Sequence, residues 1–229
     1  MTIAERILEL KKDFDEVYAK GKADGQVEGG SNPLYYAKQP QALYIGASFP
    51  PDCEISLVFE STPNTCEQMF FNANCPKIIK ITFDNKTGAG KWRNALSITS
   101  ATPNLQLIDI SKIGAIQNAF QMFNGQKVLE TIQGNIDLNS CTSADSLTNM
   151  FRNCIALKEV RFKENAIPLS ISFSDSPDLS DDSTDSIIDG LIPITDGTAR
   201  TITFHANVKT RLTDEQKATI TTTKGWTLA

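Results

Sequence analysis

One short pattern recurs along the chain and limits what the chain can fold into. Residues 150–162 read MFRNCIALKEVRF, and residues 122–132 read MFNGQKVLETI, which matches the first stretch without a gap. Met122 then lies over Met150, and the aliphatic residues that follow keep the same spacing. Because self-similarity at a fixed interval is the signature of a repeat architecture, this pattern governs the interpretation of the rest.

Two further copies of the pattern are less regular. Residues 69–83, MFFNANCPKIIKITF, match if two extra residues stand before Cys75, and residues 104–110, NLQLIDI, keep only the end of the pattern. The leading aliphatic residues then fall at positions 78, 105, 129 and 157, which gives intervals of 27, 24 and 28 residues. These intervals lie within the range of about 20–29 residues that leucine-rich repeats show.

The pattern predicts an α/β (α+β) solenoid of short, irregular leucine-rich repeats. Each unit would supply a short helix or turn ending in Met-Phe, a chain reversal and a short strand, and only stacked units could enclose a core. The Asn-Cys pairs at 74–75 and 153–154 are expected to place a buried amide and a packed thiol at the reversals. The predicted repeat core consists of Met69, Phe70, Cys75, Ile78, Ile81, Phe83, Leu105, Ile108, Ile110, Met122, Phe123, Leu129, Ile132, Met150, Phe151, Cys154, Leu157, Val160 and Phe162.

The M-F-x-x-C-x-x-L-x-x-V-x-F pattern resembles the BspA-like leucine-rich repeats of surface proteins from anaerobic bacteria and of gene products from their phages. The resemblance covers about residues 43–175. The ending, LSDDSTDSII, LTDEQKATI and WTLA, is similar to the C-terminal cap of phage-encoded members. The opening, TIAERI and VYAKGKADG, resembles the N-terminus of tail-associated proteins in phages and prophages of gut Firmicutes. The resemblance implies a virion or prophage component.

The chain begins with a predicted amphipathic helix over residues 1–20, followed by a Gly-rich linker over residues 21–33. Five apolar residues at spacings of 4, 3, 4 and 3 form one stripe of this helix: Ile3, Ile7, Leu10, Phe14 and Val17. Such a short helix needs a surface to pack on. It either folds back onto the following domain or self-associates as an anchor, and a homo-oligomer, for instance a trimer, is compatible with the stripe.

The repeat domain is expected to span residues 34–175 and a distinct cap residues 176–229. In the cap, residues 179–192 predict a helix with Ser180 as its N-cap and Ile187, Ile188 and Leu191 on one face. A strand around Phe204, a second helix that starts with a Thr213–Gln216 capping box, and a last short strand in GWTLA complete it.

Composition excludes several classes of partner. With 27 acidic and 22 basic residues the net charge is -5, so the chain offers no broad positive surface for nucleic acid. No apolar run approaches the roughly 20 residues that cross a bilayer, and the acid-rich N-terminus differs from a signal peptide. We therefore expect no membrane insertion and synthesis in the host cytoplasm. The five cysteines lack C-x-x-C spacing and are expected to be reduced, packed thiols.

No catalytic, cofactor or metal site is predicted. The only histidine, His205, follows a predicted strand and is expected to be structural or solvated. Six acids invite a calcium hypothesis, but they lack the spacing of a calcium loop, and helix capping and solvation are the favoured explanation: Asp175, Asp178, Asp181, Asp182, Asp185 and Asp189. A carboxylate pair for glycan hydrolysis stays open, because its separation is a three-dimensional quantity.

Aromatic residues outside the repeats are the candidates for a binding surface. Tyr35, Tyr36, Tyr44 and Trp92 could stack on the apolar faces of a sugar, and Trp92 lies in a polar, Gly-rich insertion, NKTGAGKWRN. Loops of repeat proteins often carry their binding function. The alternative, which we favour, is that Trp92 covers the core of the degenerate unit.

These observations predict a non-enzymatic phage or prophage structural protein, associated with the tail or baseplate and located in the virion. Its repeat module would contact a host cell-surface protein or glycan, or a neighbouring virion protein, and several copies would add avidity. A bacterial cell-surface adhesin is the alternative. A cryptic glycan hydrolase is the third hypothesis, and no motif supports it.

Overall fold

The computed structural model describes residues 34–36, 44–49, 52–59, 66–83, 90–99 and 101–229. The predicted N-terminal helix and linker lie outside these residues, and so does the stripe from Ile3 to Val17. The described part of the chain is mixed α/β, with parallel sheets and few helices.

Six strands form the main sheet, in the order β1-β2-β3-β5-β7-β8, and each strand runs parallel to its neighbours. These strands are β1 (Leu34–Tyr36), β2 (Glu54–Phe59), β3 (Ile78–Phe83), β5 (Leu107–Lys112), β7 (Thr131–Ile136) and β8 (Glu159–Phe162). A second parallel pair joins β4 (Gly90–Lys91) to β6 (Ile116–Asn118). A third, parallel sheet of order β11-β10-β9 contains β9 (Ile171–Phe173), β10 (Thr201–Phe204) and β11 (Thr227–Leu228).

The main sheet buries one face because its strands alternate apolar and polar residues. Ile79, Ile108, Ile132 and Val160 occupy the same interior row, and each is at most 2% exposed. A side-chain period of two puts the residues between them on the opposite face. The sheet therefore has a core face and an outer face.

Between the strands, the chain forms turn segments, defined here as residues 66–73, 92–98, 119–126 and 146–154. Within a segment, alternate amides bond back three residues, as when the N–H of Met122 donates to the carbonyl of Ala119 at 3.0 Å. The intervening amides donate to the next segment, as when Phe123 N–H donates to Met150 O at 3.0 Å. This alternation provides hydrogen-bond partners for the backbone N–H groups of a segment that is neither helix nor strand.

The proposed alignment, which places two extra residues before Cys75, is wrong. The strand register places Ile79 over Val160, and the bonds between turn segments place Phe70 over Phe151, so the two copies align without a gap. Pro76, which is buried, takes the position of Leu157, and Ile78 is half-exposed on the outer face instead of lying in the core. The buried residue is its neighbour, Ile79. The Phe83 side chain lies outside the described side chains.

The degenerate copy at residues 104–110 also has a turn segment before its strand, which the sequence pattern did not show. Its turn segment carries Trp92, Ala95 and Leu96, all at most 1% exposed, and Leu96 lies in the position of Phe70 and Phe123. The sequence pattern missed this segment because Met-Phe is replaced by Ala-Leu.

The Asn-Cys pairs do not form one ladder. Asn153 is exposed and adopts a left-handed backbone at φ 59°, and its structural equivalent is Asn72 at φ 52° rather than Asn74. Asparagine tolerates this conformation better than most residues. Asn72 Oδ1 accepts from the backbone N–H of Thr99 at 2.6 Å. The side-chain amide of Asn72 therefore does bond a backbone group, which lies just after the next turn segment. The expectation of a buried Asn153 amide is wrong.

The other predicted core residues that the structure describes are buried. The described aromatic rings at the Phe position form a pair and a column, with Leu96 between them. Tyr44 stacks on Phe70 at 4.9 Å between centroids, and in the column Phe151 stacks on Phe123 at 5.7 Å and on Phe173 at 4.7 Å. Stacked rings bury a large apolar area in a defined geometry. The column continues from the repeats into the cap.

The cap follows the sequence prediction closely. Helix α1 (Asp181–Gly190) begins at the predicted N-cap, with the Ser180 hydroxyl accepting from Ser183 N–H. Helix α3 (Asp214–Ala218) has the predicted capping box and continues as a π-helical turn, Thr219–Thr223. One element was missed, helix α2 (Ala206–Arg211), because only its N-cap, His205, separates it from β10.

Helix α1 closes the last edge of the main sheet with hydroxyl groups. Ser183 Oγ accepts from the Val160 N–H at 3.0 Å and lies 3.0 Å from the Lys158 carbonyl, to which it donates. Ser186 Oγ accepts from the Phe162 N–H at 2.9 Å. Unpaired groups on an edge strand are a template for aggregation. Here two serines take the place of the missing strand.

We expect Ser183→Ala to lower the free energy of unfolding by about 1–3 kcal/mol, because Ser183 is fully buried and its loss leaves the Val160 N–H without an acceptor. Chemical denaturation measures the change. Ser172→Ala is the matched control, since Ser172 is exposed, and its effect should stay within about 0.5 kcal/mol. Equal effects at the two sites would contradict the edge-closing role.

Candidate functional site

The outer face of the main sheet is the candidate binding site. It consists of the residues that alternate with the core rows on β2, β3, β5, β7 and β8: Glu54, Ser56, Ile78, Lys80, Leu107, Asp109, Thr131, Gln133, Glu159 and Arg161. All of them are half-exposed or exposed. Parallel sheets are usually covered on both faces. An accessible face of side chains held by a rigid sheet is therefore available for contact with a partner.

Charges on and beside this face are paired across strands. Lys80 Nζ lies 2.5 Å from Glu54 Oε1, and this carboxylate raises the pKa of Lys80 through a hydrogen bond and its charge. At the start of the strands, Lys158 Nζ lies 3.2 Å from Glu130 Oε2. Exposed pairs of this kind contribute little stability. Their effect is to leave the face polar, with both signs of charge close together.

An aliphatic pair lies on the outer face at the first residues of β3 and β5. Ile78 and Leu107 are register partners on adjacent strands, and both are half-exposed. Thr131 follows Leu107 in the same row. The core rows do not use these side chains, because Ile79 and Ile108 fill the interior.

Sequence reasoning did not predict the outer face, although a signal for it was present. In the strand sequence LIDISK the burial alternates from Leu107 to Ile110, and Asp109 stands between two buried isoleucines. A polar residue between buried neighbours marks the accessible face of a strand. The repeat alignment had placed Ile78 in the core and so concealed the apolar pair.

The residues predicted to form a binding surface do not form one together. Trp92 is 1% exposed and packs in the core, which confirms the favoured interpretation that it covers the core and shows that the candidate role in a binding surface is wrong. Tyr44 stacks on Phe70 and packs against the core. Tyr35 and Tyr36 lie on β1, but their side chains are outside the described ones.

The five cysteines are free thiols, and four of them are buried. Burial raises the pKa of Cys75 and of Cys141 to about 12, and it raises the pKa values of Cys66 and Cys154 as well. A thiol acts as a nucleophile only as its thiolate. At neutral pH these buried groups stay protonated and serve as packing residues.

His205, Asp175 and Asp182 have structural roles. His205 is the N-cap of α2, and its Nδ1 accepts from the Asn207 N–H at 3.1 Å. Asp175 accepts from the Asn153 N–H at 2.7 Å, and Asp182 pairs with Arg161 at 3.0 Å. Among the residues that the structure describes, no group of three His, Cys, Asp or Glu residues could hold a metal ion.

An Arg–Asp pair in the segment between α1 and β10 also bonds the backbone at Pro168. Arg200 is 9% exposed, its Nη1 and Nη2 donate to the two carboxylate oxygens of Asp196 at 3.0 and 2.6 Å, and its Nε donates to the Pro168 carbonyl at 2.7 Å. Bidentate, charge-assisted bonds are among the stronger polar contacts. The hydrogen bonds from Arg200 lower the pKa of Asp196 from 3.8 to about 2.

This shift predicts an acid dependence of stability. Because the pKa of Asp196 is lower in the folded chain, the pair stabilises the fold above about pH 4, and the contribution is lost as the pH falls through 2. Asp196→Asn should therefore flatten the dependence of unfolding free energy on pH between 4 and 2. Urea unfolding across this range measures it. Parallel curves for the variant and the natural chain would contradict the assignment.

Comparisons of the chain with known protein families, with curated proteins and with solved structures find no match. In the part of the chain that the structure describes, no helix has the length and apolar character needed to cross a membrane. The functional proposal therefore depends on the sequence pattern and the geometry alone.

Proposed function

We propose that the chain is a leucine-rich-repeat solenoid of the BspA-like type that works as a non-enzymatic binding or assembly module. The observation that carries the proposal is the outer face, an accessible row of side chains held by consecutive parallel strands. Strand offsets of 29, 24 and 28 residues, from Ile79 to Ile108 to Ile132 to Val160, support a repeating unit of leucine-rich-repeat length. Stacked units of this length bury a continuous core and expose one extended face.

A binding role fits the chemistry of the described residues better than catalysis does. The buried thiols are protonated, His205 is engaged as a helix cap, Asp175 bonds a backbone N–H, and Asp182 pairs with Arg161. Catalytic sites instead bring perturbed titratable groups together in a cleft. The outer face carries paired charges and an exposed aliphatic pair at the start of two adjacent strands, which suit contact with another macromolecule.

The proposed setting is a phage or prophage virion, with the chain as a tail- or baseplate-associated structural protein that contacts a host surface or a neighbouring virion protein. The cap and N-terminal motifs that resemble phage-encoded proteins support this setting. The proposed partners are proteins or glycans, with a homo-oligomer formed through the N-terminal segment.

Mass spectrometry of purified virions, together with immunogold labelling, tests the proposal. We expect the chain in stoichiometric amounts at the tail or baseplate. Its absence from virions that are complete by their other proteins would overturn the virion role. Secretion of the chain into the medium in cells without phage production would instead favour an adhesin.

A further inference from the structure

The segment between α1 and β10 carries an Asp-Gly dipeptide in exposed, irregular chain. Asp196 and Gly197 are both exposed, and so are their neighbours from Thr195 to Ala199. Gly197 has φ +70°, and a Cβ added there would meet nothing within 4 Å. Glycine has no Cβ to limit its backbone torsions. The peptide between these two residues therefore has room to change its conformation.

An aspartate followed by glycine can react with the backbone nitrogen of that glycine. Here the Gly197 nitrogen would attack Cγ of Asp196, so that a C–N bond forms, a carboxyl C–O bond breaks, and the amide proton and the hydroxyl leave as water. Hydrolysis of the resulting succinimide takes up one water molecule and gives either aspartate or isoaspartate, in which the main chain runs through the former side chain. The hydroxyl leaves readily only from a protonated carboxyl group.

Three donors hold the Asp196 carboxylate in its ionised form. The Thr198 N–H donates to Oδ1 at 2.9 Å, which turns the side chain towards the backbone that follows it. Arg200 Nη1 and Nη2 donate to Oδ1 and Oδ2 at 3.0 and 2.6 Å. Hydrogen bonds to a carboxylate favour its charged form. The contacts that place the carboxyl group beside the Gly197 backbone therefore also keep it unreactive.

A second Asp-Gly dipeptide, Asp189–Gly190, has a different environment. Asp189 is exposed, but Gly190 is buried as the last residue of α1, and a Cβ added to it would lie 2.9 Å from the Phe162 Cβ. At Gly197, by contrast, none of the described residues accepts a hydrogen bond from the backbone N–H. The helix and its packing restrain the first peptide, whereas the carboxylate contacts restrain the second.

We infer that Asp196–Gly197 is a site of spontaneous isomerisation to isoaspartate and that Arg200 is the residue that restrains this modification. The reaction needs only water, and the inference is independent of the proposed binding role. Arg200 acts through the Asp196 carboxylate and is a positioning residue. Isoaspartate would add one methylene to the main chain just before β10, the middle strand of the third sheet.

Incubation of the full chain at about pH 5, followed by peptide mapping with tandem mass spectrometry, tests the inference. Arg200→Gln removes the charge and the two-pronged contact but keeps an amide that can donate to the Pro168 carbonyl. We expect isoaspartate at residue 196 to form about tenfold faster in this variant, the factor that one pKa unit represents. Equal rates at residue 196 in the variant and the natural chain would overturn the restraining role of Arg200.

Asp189–Gly190 is the internal control for unfolding, because both dipeptides lie in the same chain. Isoaspartate at residue 189 should not increase in Arg200→Gln, and equal acceleration at both sites would overturn the inference, since it would mean that the cap has opened. Asp196→Glu combined with Arg200→Gln is the chemical control. The longer side chain disfavours closure of the imide ring, so the modification should disappear at residue 196, and its persistence there would also contradict the proposed reaction.

Discussion

Replacing Gly125 by alanine is expected to lower the free energy of unfolding by roughly 2–5 kcal/mol. Gly125 has φ +83°, and an added Cβ would lie 2.1 Å from the carbonyl oxygen of Ile98 and 3.0 Å from its carbonyl carbon. Left-handed strain contributes about 1–2 kcal/mol and overpacking about 1–3 kcal/mol. The atom in contact belongs to the backbone, so no rotamer change relieves it.

Gly197→Ala is the matched control, because Gly197 has φ +70° but nothing within 4 Å of the added Cβ. It should cost about 1–2 kcal/mol from backbone strain alone. Guanidinium unfolding of both variants, with linear extrapolation, gives the difference. If the two variants lose the same stability, the close approach of adjacent turn segments at Gly125 is incorrect.

Removing the ring of Phe151 should cost about 3–5 kcal/mol as Phe151→Ala. Phe151 is 1% exposed and stacks on Phe123 at 5.7 Å and on Phe173 at 4.7 Å, so the cavity would separate the repeats from the cap. The loss should appear in the melting temperature and in the unfolding free energy together.

Phe151→Leu distinguishes ring stacking from simple volume. Leucine already occupies the equivalent position at Leu96, so the variant should fold and lose about 1–2 kcal/mol, mostly ring–ring contact and some volume. A loss as large as that of alanine would contradict this expectation, because it would mean that aliphatic volume cannot replace the ring between Phe123 and Phe173.

Prediction from sequence succeeded where the signal is local. The N-cap at Ser180, the capping box of Thr213 and Gln216, and the strand at Phe204 all depend on residues within a few positions of one another. Such signals survive folding because the hydrogen bonds they predict are made within one turn. The virion setting, the solenoid and the N-terminal helix stay predictions.

The errors in the prediction concern residues whose sequence context suggests one position in the fold while the structure places them in another. The repeat alignment matched Cys75 to Cys154 because both follow asparagine, although Ala73 holds the position of Cys154. Helix α2 was missed because His205, the cap that starts it, is also the residue after a strand. Trp92, in a Gly-rich stretch, was also a candidate for the surface, and its 1% exposure confirms the favoured alternative that it covers the core.

The sequence by itself determined two of the three intervals between units, most of the core and the starts of the predicted cap helices, since apolar periodicity and capping depend on neighbouring residues. Only the tertiary structure decided which aliphatic residues face outward. Ile78 and Ile79 are equivalent in hydrophobicity, and the strand register, which buries one face of the sheet, assigns one to the surface and the other to the core. The candidate binding site follows from that single choice of register.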